Sequence, residues 1–542
     1  MSKQLSLALA QLNVTVGAIE SNTQLIVATI REAEQQGADL VLFPELALTG
    51  YLPDDLLWRD DLYQRLTLAL DTIAAASSKI AILIGHPWRE QGQIYNSASV
   101  YEKGQLVTRY VKQGLANGGL YDEPRYFTAG GRTEIVEISG YRLGLTIGQD
   151  IANSQWVGAL KAAGAEILLN LSASTFHPEQ TTQQAALLTA VSRSQQLPVV
   201  MLNLVGGQDE WLFSGCSQVV NAKGVITQQL AAFDSELALV KFEQHTPVAQ
   251  DLPAPLEPLA QLYQALVLAT RDYINKNGFS GAVLGLSGGI DSALTLAIAV
   301  DALGKDKVQA VMMPFRYTAS ISVDDAKEQA ELLGVEFDSV SIEPMFDAFM
   351  AQLAPLFANE TPQPWDTTEE NLQARARGMI LMALSNKRHR LVLTTGNKSE
   401  LAVGYCTLYG DMVGGFAPLK DVSKTLVFAL SRYRNSLGYA IPQRVIDRPP
   451  SAELAPDQLD QDNLPPYDVL DPLLAAYVEQ DQSPQQLIDA GFAKADVQRI
   501  IKLVDINEYK RRQGAVGPSV SARSFGKGRR YPITSGFGKP NW

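Results

Sequence analysis

The sequence predicts an α/β protein of two domains. Three observations carry that expectation: short apolar strands alternate with helical segments over residues 1–245, a proline-bearing stretch breaks the pattern at 246–256, and the alternation resumes around a glycine-rich turn. At 542 residues the chain is too long for a single hydrophobic core. With 46% hydrophobic and 19% charged residues, it has the composition of a folded chain throughout.

Within the first domain, residues 1–245, strands are expected at 5–14, 40–44, 80–84 and 166–170, the last preceded by an alanine-rich helix. The stretch 246–256, with Pro247, Pro253 and Pro255, is the expected linker. In the second domain, 257–542, a helix at 257–276 leads into a strand at 282–286 and a helix at 293–303. A strand at 308–314, a helix at 323–333 and a strand at 391–395 follow. Right-handed crossovers of this kind build a doubly wound parallel sheet that takes its ligands at the carboxyl ends of the strands. Residues 441–466, rich in Pro, Asp and Gln, read as a long functional loop, and the Gly- and Arg-rich tail 511–542 is expected to order only on contact.

Charge and cysteine usage exclude several classes. The formal charge of −13 argues against non-specific binding to nucleic acid or an anionic membrane, so anionic substrates must be met by local basic groups. Cys216 and Cys406 are far apart without C-x-x-C spacing, which supports neither a disulfide framework nor a structural zinc site. His86, His177, His245 and His389 show no metal-ligand spacing. The N-terminal strand soon meets Gln11 and Asn13, and no run reaches the length of a spanning helix. A soluble, cytoplasmic protein is expected.

The most informative segment is Gly285-Leu286-Ser287-Gly288-Gly289-Ile290-Asp291-Ser292, where a strand runs into a glycine turn and then a helix. The glycines let the backbone bend and approach a ligand closely, and the N–H groups of the loop and helix start face an anion. Asp291 adds a hard carboxylate suited to Mg²⁺ beside phosphates. The Gly-Lys-Ser/Thr ending of a Walker loop is missing.

This loop resembles the PP-loop of ATP pyrophosphatases, which split ATP between the α and β phosphates. Further segments sharpen the resemblance: 394–411, with Thr395, Lys398, Glu400 and Asp411; 415–425, with Lys420 and Lys424; 371–377; 449–454; and 464–468. Together they are similar to the NAD synthetases over residues 260–530. In that family the carboxylate of deamido-NAD (nicotinic acid adenine dinucleotide) attacks the α-phosphate of ATP, and ammonia then displaces AMP. The resemblance implies that Gly285 to Ser292 hold the ATP phosphates, Thr395 contacts the nucleotide and Lys424 neutralises the leaving pyrophosphate. It implies Asp291 and Glu400 as Mg²⁺ ligands, with Ser451 as an oxygen ligand for a second ion. Asn371, Glu400, Asp411 and Lys510 carry over as deamido-NAD contacts, which leaves Glu400 open to either ligand. Taken singly, Lys398, Lys420 and Lys510 read more often as solvated surface charges than as functional groups; the constellation is what points to function.

Residues 1–245 resemble the nitrilase (carbon–nitrogen hydrolase) superfamily, in the version fused to NAD synthetase as a glutaminase, which implies an α-β-β-α sandwich. That family works through a Glu, a Lys and a Cys nucleophile. Glu45 and Lys112 match the first two, but where the family has its cysteine this chain has Gly148. Gln149 replaces a family Glu, Gly118 stands where an aromatic is usual, and the segment Ser174 to Gln180 also departs from the family pattern. Cys216 reads as a small buried structural residue rather than a relocated nucleophile.

The resulting expectation is an NAD synthetase that takes ATP, Mg²⁺, deamido-NAD and free ammonia, assembles at least as a dimer, and carries an inactive glutaminase-like domain. Two alternatives stand beside it. The chain is glutamine-dependent through an atypical or partner glutaminase, or its first domain is a non-catalytic module for amide sensing or assembly.

Overall fold

The computed structural model describes residues 4–537, except 362, 364, 365, 452, 456, 457, 459 and 463. The chain divides between Leu256 and Glu257 into two compact units.

The first unit holds a seven-stranded and a six-stranded sheet. In the larger one, Gln4–Gln11, Leu40–Leu42 and Ala81–Glu90 run parallel at the centre, and Gln93–Glu102 and Gln105–Val111 continue it antiparallel. In the smaller one the parallel centre is Tyr141–Ile147, Ile167–Ser172 and Val199–Asn203. Side chains alternate along the first strand: Leu5, Leu7 and Leu9 enter a core shared with Leu143, Leu145, Leu169 and Leu202 of the other sheet. Ala8 and Ala10 face the opposite way, against the helices Ile19–Gln35 and Asp60–Ala76. The helices Ser154–Ala162 and Gln180–Gln195 cover the outer face of the second sheet through Val157, Leu160 and Leu188. This is the expected α-β-β-α sandwich.

The second unit is built on four parallel strands, ordered Glu336–Ser339, Val308–Met312, Ala282–Gly285 and Leu391–Val392. In chain order this is 3-2-1-4, so the switch point lies between Ala282–Gly285 and Leu391–Val392, where loops from the two strands diverge and leave a crevice. One of those loops is the glycine turn ahead of the helix Ile290–Leu303; the other carries Thr394 to Asn397 ahead of the helix Lys398–Val403. Among the described residues no helix is long and apolar enough to cross a membrane.

Three expectations need correction. Thr246–Pro247, placed in the linker, forms an edge strand on Glu236–Glu243, and Val248 N donates to Lys241 O at 2.8 Å; an edge tolerates proline because its missing donor faces outward. Residues 441–466 contain the short helix Gln443–Asp447, while 452, 456, 457, 459 and 463 of that loop lie outside the described residues. The tail is ordered on its own unit as far as 537: Ala417 N donates to Val516 O at 2.7 Å, and Val520, Phe525 and Arg529 are buried. Its Gly and Arg content masked the apolar residues that anchor it.

Candidate functional site

In the first unit, three charged side chains converge at the ends of strands. Glu45 follows Leu40–Leu42, Lys112 follows Gln105–Val111, and Glu123 lies on a short turn; all three are buried. Lys112 Nζ lies 2.6 Å from Glu45 Oε1 and 2.9 Å from Glu123 Oε1. Charges this deep persist only when paired and hydrogen-bonded. Glu45 also accepts from Asn96 Nδ2 at 2.7 Å and Ala173 N at 3.0 Å, and Glu123 from Tyr51 OH at 3.0 Å and Ala116 N at 2.7 Å. Burial, helped by the neighbouring Glu123, raises the Glu45 carboxyl to about 7 despite Lys112. Burial alone would lower the Lys112 ammonium, but Glu45 and Glu123 outweigh it and hold the group above its ordinary value.

Gly148 follows the strand Tyr141–Ile147 with φ +52°, and a Cβ built there would lie 2.9 Å from Lys112 Nζ and 3.1 Å from Glu45 Oε2. Residue 148 therefore sits where a side chain would meet both members of the pair. These residues line a cavity of about 130 Å³, with Gln149, Asn170, Ser172, Ser174 and Gln184 as its polar wall. Cys216 is buried but does not line this cavity, and burial raises its thiol. Gly118 is exposed in a small hairpin with Tyr121, and Gln180 acts through a neighbour, donating to Gln184 Oε1 at 2.7 Å. Sequence reasoning passed over Glu123; only its place in the segment after Lys112 hinted at it.

In the second unit the crevice brings together residues far apart in sequence. Gly288 has φ +79°, and a Cβ there would come 2.3 Å from Ser322 O, so only glycine fits this turn. Ser292 Oγ ties the loop down, donating to Gly289 O at 3.0 Å and accepting from Ser287 N at 3.2 Å. Asp291, at the first turn of Ile290–Leu303, meets Lys424 Nζ at 2.6 Å through Oδ2 and Asn397 Nδ2 at 2.8 Å through Oδ1. Lys424 Nζ also donates to Glu400 Oε1 at 3.1 Å. Burial, with Asp291 and Asp460 nearby, raises the Glu400 carboxyl to about 8 against the pull of Lys424.

Asn397 escaped sequence reasoning, although Asn-x-x-Glu is a capping-box pattern. Asn397 Oδ1 accepts from Glu400 N at 3.0 Å and Glu400 Oε2 from Asn397 N at 3.3 Å, while the free amide of Asn397 reaches Asp291. Two carboxylates sharing one ammonium have the hard oxygen chemistry that Mg²⁺ takes when phosphates complete its shell. Among the described residues no group of three or more His, Cys, Asp or Glu is arranged to hold a metal by itself.

The remaining expected residues fall around this centre. Thr395 lies on the loop after Leu391–Val392, and Asp411 borders a cavity with Glu400; Thr407 joins Asp411 to Asn371, its hydroxyl donating to Asn371 Oδ1 at 2.8 Å and its N–H to Asp411 Oδ1 at 2.6 Å. Lys510 Nζ donates to the carbonyls of Gly404 and Cys406, both at 2.8 Å, and so closes the C-terminal end of Lys398–Val403. Ser451 makes no hydrogen bond with Asp291 or Glu400; it donates to Gln458 O and accepts from Glu453 N at 3.1 Å. Glu400, Cys406 and Asp411 also line a small cavity of about 20 Å³, room for one water-sized molecule.

A nitrilase-like sandwich followed by a nucleotide-type phosphate loop at a switch point defines a class of amidating enzymes, and comparison with known proteins narrows it. Residues 6–246 match the carbon-nitrogen hydrolase family and residues 262–514 the NAD synthase family. The glutamine-dependent NAD(+) synthetase of Acinetobacter baylyi is 50% identical over 539 residues, 99% of each chain. The structure of the glutamine-dependent NAD+ synthetase of Acinetobacter baumannii in complex with ADP is 46% identical, with a TM-score of 0.80 over 98% of this chain and 99% of that one. The enzyme of the same description from Cytophaga hutchinsonii is 25% identical, with a TM-score of 0.84 over 98% of both chains. The chain belongs to the two-domain NAD synthetases, carbon–nitrogen ligases with a carbon–nitrogen hydrolase domain ahead of the NAD synthase domain.

Proposed function

We propose that this chain makes NAD from deamido-NAD, ATP and free ammonia, and that its first domain hydrolyses no glutamine. The observation that carries this reading is the glycine at 148. The acid–base partners Glu45 and Lys112 stand paired around a position that offers hydrogen where an acyl transfer needs a nucleophile.

Adenylation comes first. An oxygen of the nicotinate carboxylate bonds to the α-phosphorus of ATP as the bond to the bridging β-phosphate oxygen breaks, and pyrophosphate leaves. The loop N–H groups of Ser287 to Ile290 bind the phosphates, and Asp291 and Glu400 would hold Mg²⁺, which supplies charge neutralisation there. Lys424 stands between the two carboxylates, where its ammonium offsets charge building on the leaving group. Ammonia nitrogen then bonds to the acyl carbon, AMP departs with the bridging oxygen, and one proton passes from nitrogen to a base. The cavity beside Glu400 and Asp411 has room for one molecule the size of ammonia. Thr395 takes the nucleotide, and Asn371, Asp411 and Lys510 border the dinucleotide substrate, Lys510 by holding the loop after Lys398–Val403.

Product analysis with ammonium as the nitrogen source tests this chemistry. One AMP and one pyrophosphate should form per NAD. Release of ADP and phosphate would contradict adenylation.

A further inference from the structure

Two loops deliver the charged centre: residues 394–400 bring Asn397 and Glu400, and residues 417–424 bring Lys424. Their register to one another decides whether Lys424 reaches both carboxylates. Lys398 N donates to Val422 O at 2.9 Å, and Lys424 N donates to Ser399 Oγ at 2.9 Å, so the two segments are already joined by one backbone bond and one from backbone to side chain. Between those bonds lies a buried ion pair: Lys398 Nζ is 2.9 Å from Asp421 Oδ1, with both side chains nearly inaccessible. Lys398 had read as a surface charge; the fold places it inside.

The pair is closed from outside by the C-terminal tail. Lys398 Nζ also donates to Ser521 Oγ at 2.7 Å and Arg523 O at 3.2 Å, and pairs with Glu479 at 2.6 Å. Asp421 Oδ2 accepts from the N–H groups of Val520 and Ser521, both at 2.8 Å, and Asp421 Oδ1 from Ser521 Oγ at 2.9 Å. Every donor of the lysine and both oxygens of the aspartate are therefore engaged, and apart from each other and Glu479 their partners all belong to one four-residue stretch of tail, 520–523. Burying an ammonium this far is costly unless its partners are fixed in place, and fixed partners hold the two loops at one separation.

We infer that Lys398 and Asp421, closed over by residues 520–523, are the positioning pair that sets Lys424 and Glu400 against Asp291. The inference rests on the proposed role of those three residues. None of residues 520–523 hydrogen-bonds Asp291, Glu400 or Lys424, so this stretch acts through the pair: its docking and the spacing of the charged centre are one structural event. Loosening the tail should lower turnover without abolishing nucleotide binding, because the phosphate loop itself belongs to a different strand–helix unit.

The test measures NAD formation with ammonium for Ser521→Ala, Lys398→Met and the double variant, with thermal melting of each. Ser521→Ala, which removes one hydroxyl from an otherwise intact packing, should lower kcat roughly 3- to 10-fold while KM for ATP stays within about 2-fold. Lys398→Met should lower kcat at least about 100-fold, and adding Ser521→Ala to it should cost less than Ser521→Ala costs in the parent, because the hydroxyl bonds both members of the pair and acts through them. Unchanged kcat in Ser521→Ala, or losses that multiply in the double variant, would overturn the inference. Should Lys398→Met fail to fold, Ser521→Ala alone decides between these outcomes. Asp291→Ala measured in parallel separates the two levels: normal activity there removes the site assignment itself, whereas its loss together with normal activity in Ser521→Ala removes only the positioning role.

Discussion

Lys424 Nζ lies 2.6 Å from Asp291 Oδ2, although 133 residues separate them in sequence. The aspartate is brought by the helix after the phosphate loop and the lysine by the helix Lys424–Ser436, which packs beside it. The same ammonium reaches Glu400, so the centre holds two carboxyl groups on one cation; burial raises Glu400 to about 8, and once it ionises the centre is one negative charge in excess. An incoming cation such as Mg²⁺ would meet that excess.

Replacing Asp291 by alanine should abolish NAD formation and ATP–pyrophosphate exchange together. Loss of a carboxylate that anchors charge at the phosphates costs several kcal/mol in the transition state, so a fall of at least about 100-fold is expected. Exchange at a near-normal rate in a folded variant would remove Asp291 from the site.

Lys510→Ala should raise the KM for deamido-NAD much more than that for ATP. Its ammonium holds the carbonyls of Gly404 and Cys406, directly before Thr407, which hydrogen-bonds both Asn371 and Asp411. Equal changes in both constants would mean that the lysine serves only the general order of the tail.

Much of this arrangement was legible in sequence. The glycine turn, Asp291, Glu400 and Lys424 could be named because their residue types and spacing follow a family pattern, and the strand periodicity located the sheets that carry them. What escaped were residues whose work depends on three-dimensional partners. Glu123 looks like an ordinary turn carboxylate until the fold buries it against Lys112. Lys398 looks solvated until the tail closes over it, and the tail looks unstructured because its arginines and glycines outnumber the few apolar residues that dock it. Long-range pairing of this kind leaves no local periodicity to read.

Gly148→Cys should not restore efficient glutamine hydrolysis. The new Cβ would lie 2.9 Å from Lys112 Nζ at a φ of +52°, so the lysine must move and the backbone carries strain. Gly148→Ala isolates that strain and should lower stability by roughly 1–2 kcal/mol, read as a drop in melting temperature. Glutamate release by Gly148→Cys at the rate of NAD synthesis would show that the rest of the pocket is intact.

Glu45 predicts a pH dependence of stability. Its carboxyl is raised from 4.5 to about 7 by burial, so between those values the folded chain holds a proton that the unfolded chain has released. Stability should therefore fall as pH rises across that window, by up to about 1.4 kcal/mol per pH unit for one proton. In Glu45→Gln that part of the fall should vanish, and a melting profile with the same slope as the parent would show that Glu45 is ionised throughout.

The nitrogen source tests the central claim most directly. Purified protein with ATP and deamido-NAD should make NAD from ammonium salts, faster as pH rises from about 7 to 9, because only neutral ammonia carries the lone pair that attacks the acyl-adenylate. Glutamine in place of ammonium should give little NAD and release no glutamate. Glutamate formed in step with NAD, from protein free of other glutaminases, would contradict the account.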